Sequence, residues 1–193
     1  MQKTRVLGVG NILLQDEGIG VQALECLRAC YHLPRGVQAL DGGVLGLDLL
    51  PYIEGVDNLL ILDAIETGQA PGTLLRLEGD AIHARLALKM SIHQVGLQEV
   101  LATLALQGKL PARVVLWGVQ PASLDWGVEL SPAVAMRLND LVDAAAAELC
   151  EWGLAVRRTR TAATSCAPAH SSPLPDSPPD PQTPMPDWHP TIP

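Results

Sequence analysis

Apolar residues in this chain follow two rhythms that take turns. Arg5 to Val9 is a short apolar run closed by Gly8 and Gly10, which predicts a buried strand. From Gly18 to Tyr31 the spacing turns helical, with Val21, Leu24, Cys26 and Leu27 on one side, until Pro34-Arg35-Gly36 ends it. Val37 to Leu40 predicts a second strand, stopped by Asp41-Gly42-Gly43. Leu45 to Ile53 predicts a short helix that Pro51 breaks or distorts. Asn58 to Asp63 is the clearest strand, because Leu59, Leu60, Ile61 and Leu62 run without a polar break, as in a sheet covered on both faces. After a turn at Gln69 to Gly72, Thr73 to Leu77 alternates like an edge strand. His93 to Leu106 is amphipathic, with Leu97, Val100, Leu101 and Leu104 on its core side, and Arg113 to Val119 predicts the last strand. Ser131-Pro132, a favoured cap and first residue, opens a final helix that runs to about Trp152.

Strands that alternate with helices imply right-handed crossovers and a parallel sheet. The expectation is one α/β domain over residues 1–156, with a mostly parallel, twisted, five-stranded sheet and helices on both faces. A segment of about 150 residues can hide roughly 70% of its unfolded surface. With no Phe in the chain, aliphatic side chains must fill that core. Residues 157–193 differ in composition. Ten of the 26 residues from Pro168 to Pro193 are proline, mixed with Ser, Thr and Asp. Such a segment buries too little apolar surface to offset its ordering entropy, so a disordered Pro-rich tail is expected. Arg157, Arg158 and Arg160 at its start read as a solvated run.

A formal net charge of −8 argues against a nucleic-acid partner, which calls for a concentrated basic face. The four cysteines form no C-x-x-C pair. Cys26 and Cys30, four apart on the first helix, read as small buried residues, and the set fits a reducing compartment. The first apolar run is too short for a signal sequence, and no stretch approaches the roughly 18 apolar residues that span a bilayer. A soluble, cytoplasmic protein with no membrane partner is expected.

In an open parallel sheet, ligands gather beyond the carboxyl ends of the strands. The polar residues at those ends are Asp16 and Glu17 after the first strand, Asp41 after the second and Asp63 on the third, and His93 begins a later helix. Two carboxylates and an imidazole suit a borderline divalent ion such as nickel or zinc. Each residue also has a plain structural reading: Asp16 and Glu17 as acids at a helix N-terminus, Asp63 as a turn cap, His93 as an ordinary first-turn residue. Gly42 and Gly43 are expected to admit a close backbone approach or a positive φ. Gly8-Val9-Gly10 does not complete a dinucleotide loop, because position 13 is Leu and the two acids would repel a pyrophosphate. The Gly-x-Ser-x-Gly elbow of many serine hydrolases is absent from the sequence.

Several spaced blocks carry a family resemblance. The stretch from Gly8 to Gly20, reading GVGNILLQDEGIG, resembles the opening signature of the hydrogenase maturation proteases. Asp41-Gly42-Gly43, Leu62-Asp63-Ala64, Ala70-Pro71-Gly72-Thr73, Ser91 to Leu97 and Trp117 to Pro121 match in order, so the resemblance spans about residues 4–153. It implies the parallel α/β fold reached above. It also implies an endopeptidase that removes a C-terminal extension from the large-subunit precursor of a nickel-iron hydrogenase after nickel insertion. By the same resemblance the metal-contacting residues are Glu17, Asp63 and His93, and the nickel belongs to the substrate. The free enzyme is expected to bind a divalent ion only weakly. Asp16 and Asp41 are weaker candidates for positioning a water. Two other readings stand beside it: a non-catalytic chaperone that binds nickel or the precursor, and a nucleotide- or flavin-binding module of similar fold.

Overall fold

The structure is a computed structural model that describes residues 2–86 and 92–159. Its strands are β1 (Thr4–Val9), β2 (Tyr31–His32), β3 (Val37–Gly43), β4 (Asn58–Ala64), β5 (Leu74–Glu78), β6 (Arg113–Val119) and β7 (Arg157–Arg158). Its α-helices are α1 (Ile19–Cys30), α2 (Leu50–Ile53), α3 (Asp80–Leu86), α4 (Ile92–Leu106), α5 (Pro132–Ala135) and α6 (Leu138–Glu151). Two 3₁₀ turns, Gln15–Gly18 and Gly46–Leu49, follow β1 and β3.

Five strands form the main sheet in the order β3-β1-β4-β6-β5. The first four are parallel, and β5 closes one edge antiparallel to β6. Alternation along the strands divides the core in two. Val6, Leu60 and Leu62 pack with Leu24 and Leu27 of α1 and Leu141 and Ala145 of α6. Leu7, Leu59, Ile61 and Leu116 pack on the other face with Ile53 of α2 and Leu97 and Leu101 of α4. Full burial of each such Val, Leu or Ile side chain stabilises the fold by about 1.5–3 kcal/mol. β4 is buried over its whole length, which is why its sequence is continuously apolar.

Three features depart from the sequence reading. The helix expected from Ser131-Pro132 onward is two helices, because the Arg137 amide bonds to Val134 O at 2.9 Å, a tightened i→i−3 bond that starts a new axis. α3 was not foreseen, and in its seven residues one full amphipathic period barely fits. Packing also continues past residue 156 to Thr159. Arg157 and Arg158 pair with His32 and Tyr31, and the Thr159 amide donates to Cys30 O at 2.8 Å. The Arg158 guanidinium lies 5.7 Å from the Tyr31 ring centroid and 3.7 Å from an Asp143 carboxylate oxygen, so it is more than a solvated charge. The rest of the expected tail, 160–193, lies outside the described residues. Among the described residues, no helix is long and apolar enough to cross a membrane.

Candidate active site

β1 has β3 on one side and β4 on the other, with α1 leaving towards one face and the β3-to-β4 connection crossing on the other. The strand order therefore reverses at β1, and a crevice opens beyond its carboxyl end. Glycines set how closely the chain folds over that end. A Cβ on Gly10, whose φ is +121°, would stand 1.8 Å from the Glu17 carbonyl oxygen. One on Gly20 would stand 2.2 Å from Leu62 O and 2.4 Å from Val9 O. Only bare glycine backbone lets the Gln15–Gly18 turn and the start of α1 seat against the ends of β1 and β4. Glu17 is thereby held at the strand ends, and it is buried.

Asp63 is fully buried near the end of β4, one residue beyond the last pair with β1 and opposite Gly118 of β6. Its strand parity is that of Leu59 and Ile61, so its side chain leaves the sheet on the α4 face. Its Oδ1 accepts the Ala64 amide at 2.8 Å. His93 is the second residue of α4, and its side chain lies outside the described residues. The backbone of α4 is nevertheless well placed. A Cβ on Gly96 would stand 2.4 Å from the Cα of Gly46, in the turn just beyond β3. The first turns of α4 thus lie against the carboxyl edge, on the face that Asp63 points to. Among the described residues, no group of three His, Cys, Asp or Glu side chains is gathered as a metal cluster.

The weaker candidates have other partners. Asp16 is fully buried, and its carboxylate accepts four bonds from the loop after β6. Oδ2 takes the amides of Ala122 and Ser123 at 2.8 and 3.0 Å and the Ser131 hydroxyl at 2.8 Å. Oδ1 takes the Ser131 amide at 2.7 Å. Asp16 is a clamp between two loops, and Ser131, expected as a helix cap, gives its hydroxyl to that clamp. Asp41 is exposed, and its Oδ1 accepts the Gly43 amide at 2.9 Å. Gly8 pairs with Asp41 and Val9 with Gly43, so Gly42 is the extra residue of a bulge that re-aims the end of β3. Gly43 has the positive φ expected of it, +38°. Gly42 instead faces the core, where a Cβ would stand 2.7 Å from Leu7 Cδ1.

Sequence reasoning did not find Gln120, which is buried just after β6. Its Oε1 accepts the amide and hydroxyl of Thr67 at 2.6 and 2.9 Å, holding the loop after β4 beside the one after β6. Nor did it find Glu148 on α6, which accepts Arg76 Nε and Nη2 and both Trp117 Nε1 and Trp152 Nε1 at 2.8–3.0 Å. The Arg76 hydrogen bonds hold this carboxyl below its usual range, against burial, with help from the indoles. It ties α6 to β5 and β6 on the sheet face opposite to that of Asp63.

Comparison with known proteins bears on what this edge does. A family model described as hydrogenase maturation protease matches residues 21–148. The chain is 43% identical over 162 residues to the hydrogenase expression/formation protein HupD of Rhodobacter capsulatus, covering 83% of this chain and 77% of that protein. It is 42% identical over 150 residues to the hydrogenase 2 maturation protease of Escherichia coli K12, covering 77% and 92%. Among solved structures, the hydrogenase maturating endopeptidase HybD from E. coli superposes with a TM-score of 0.80 at 40% identity, covering 83% of this chain and 99% of that one.

Proposed function

Because the chain belongs to the hydrogenase maturation protease family and is an endopeptidase, we propose that its substrate is the large-subunit precursor of a nickel-iron hydrogenase. The enzyme removes the precursor's C-terminal extension after nickel insertion, and it recognises the loaded state by engaging the bound nickel with Glu17, Asp63 and His93. The observation that carries this reading is the shared edge. Glu17 is seated over Gly10 at the end of β1, Asp63 projects from the neighbouring β4 on the α4 face, and α4 begins at that edge. One imidazole and two carboxylates make a mixed nitrogen and oxygen set that suits such an ion.

The nickel arrives as part of the substrate. A ligand set left incomplete on each partner closes only when the precursor carries the ion, so affinity depends on metal loading. The ion also supplies Lewis acidity beside the scissile carbonyl. The enzyme's own residues hold it there in fixed geometry, because the Gln15–Gly18 turn is clamped through Asp16.

The test is incubation with nickel-loaded precursor, followed by intact-mass measurement. Wild type yields the shortened large subunit, and metal-free precursor stays whole. Glu17→Gln, Asp63→Asn and His93→Ala each abolish processing while changing the melting temperature little. Any two together cost little more than one, since groups acting as a unit are non-additive. Near-normal processing by all three single variants would sink the assignment.

A further inference from the structure

Large apolar side chains are exposed in three places around the strand ends: Ile12 and Leu13 after β1, Val44 and Leu45 after β3, and Trp126 and Val128 after β6. Trp126 is 81% exposed, an unusual position for so large an apolar ring. Leu13 and Trp126 lie on adjoining segments, bonded between Leu13 and Gly127, and exposed apolar surface gathered in this way marks a place where another molecule sits.

The backbone under these residues is held firmly. The Gly127 amide donates to Leu13 O at 2.9 Å, and the Gln15 amide donates to Gly127 O at 2.8 Å, so the two loops form a short ladder. Asp16 pins the same pair of loops from beneath with its four bonds. Gln15 keeps a φ of +43°, a strained value for a non-glycine residue that persists only where the surroundings impose it. A rigid loop that presents a bare indole is preorganised for binding, because little ordering entropy remains to be lost.

Charge selects the occupant. The exposed acids of the three loops, residues 10–18, 41–49 and 120–131, are Asp41, Asp48, Asp125 and Glu129, and the loops hold not one Lys or Arg. Asp125 and Glu129 are exposed and flank Trp126 and Val128. This rim complements a segment that is both apolar and basic. A second copy of this chain would bring an identical acidic rim and a net charge of −8, and the two would repel.

We infer that this rim docks an apolar, basic segment of the precursor next to its cleavage point, with Trp126 as the anchor. The inference rests on the proposed function, since it places the partner at that same edge. It adds a specificity surface that acts through binding and not through the reacting atoms.

The experiment compares wild type, Trp126→Ala, Leu13→Ser and Glu129→Lys on nickel-loaded large-subunit precursor. Trp126→Ala is expected to raise KM about tenfold, as loss of a central aromatic anchor does, with a much smaller change in kcat. Leu13→Ser shifts KM in the same direction. Glu129→Lys raises KM at low salt, and the difference shrinks at high salt because the contact is screened. Unchanged KM in both Trp126→Ala and Leu13→Ser, with melting temperatures equal to wild type, would overturn the inference. So would sedimentation data in which Trp126→Ala dissolves a homodimer without weakening precursor affinity. If wild type leaves the precursor uncut, the proposed function fails, and the rim is judged by calorimetric binding of the same precursor. Binding that weakens in Trp126→Ala upholds the docking surface, and no binding by wild type overturns it.

Discussion

Replacing Asp16 by Ala removes the acceptor for three amides and a hydroxyl. The donors are Ala122 N and Ser123 N at 2.8 and 3.0 Å, Ser131 N at 2.7 Å and Ser131 Oγ at 2.8 Å. A hydrogen bond to a charged group contributes about 1.5–3 kcal/mol net. Four independent bonds would give an unrealistic sum, because Ala122 is exposed and Ser123 and Ser131 are half-buried. Water reaches those donors once the loop loosens. We expect a loss of about 3–5 kcal/mol, roughly the worth of two such bonds. At roughly 2–4 °C per kcal/mol for a domain of this size, the melting temperature falls by about 10 °C. Asp16→Asn keeps one acceptor oxygen and turns the other towards donors, so it falls between the two. Thermal denaturation followed by circular dichroism gives the stability change. Amide exchange locates it: Gln15 and Gly127 lose protection before the core of β4 does. A loss under about 1 kcal/mol, or unchanged exchange at Gln15 and Gly127, would refute the clamp.

Gly20→Ala places a methyl 2.2 Å from Leu62 O and 2.4 Å from Val9 O, both backbone atoms that cannot rotate away, so it prevents α1 from seating. The expected result is a loss of more than about 3 kcal/mol in urea titration, and a variant within about 1 kcal/mol of wild type would contradict the close packing. Glu148 predicts a pH effect of definite sign. Its folded pKa lies below the ordinary value of 4.5, because of Arg76 first and the indoles after it. Its contribution is therefore fully present above that ordinary value and is lost as pH falls through the lowered folded value. Glu148→Gln should be less stable than wild type at neutral pH, with the two stability curves converging in acid. Curves that stay parallel down to about pH 3 would count against it.

What was legible in the sequence follows from how local each cause is. The run from Leu59 to Leu62 marks a strand covered on both faces without reference to any other segment, and β4 is buried throughout. The spacing of Leu97, Val100, Leu101 and Leu104 marks the inner face of α4, and all four lie in the core. The direction of β5 was not legible. Alternation reads the same in either direction, and its antiparallel pairing is decided by β6, whose Val115 pairs with Glu78 from 37 positions further along the chain. The pairing of Arg157 and Arg158 with β2 was hidden for the same reason, since its partners are Tyr31 and His32 at the far end of α1. Of the candidate site, the residues at the strand ends were legible from topology alone. The partners of Asp16 were not, because they lie 106 to 115 positions away.

Asp16 and Glu17 show why residue type alone cannot assign a role here. Both are acids, both are buried, and they are neighbours in the same turn. A 3₁₀ turn advances about 120° per residue, so consecutive side chains diverge widely. Asp16 points to the loop after β6 and meets four donors there, which commits it to holding that loop. Glu17 leaves in a different direction, with its carbonyl closed over Gly10. A shift of the turn by one residue would put one of the two acids in the other's place and carry the second away. What prevents the shift is the ladder through Gln15 and Gly127, which keeps Gln15 at its unfavourable φ of +43°. The local strain, the buried clamp and the glycine contact are thus three parts of one device that sets the register of the turn. Each is needed because the neighbouring carboxylates are chemically interchangeable and only geometry tells them apart.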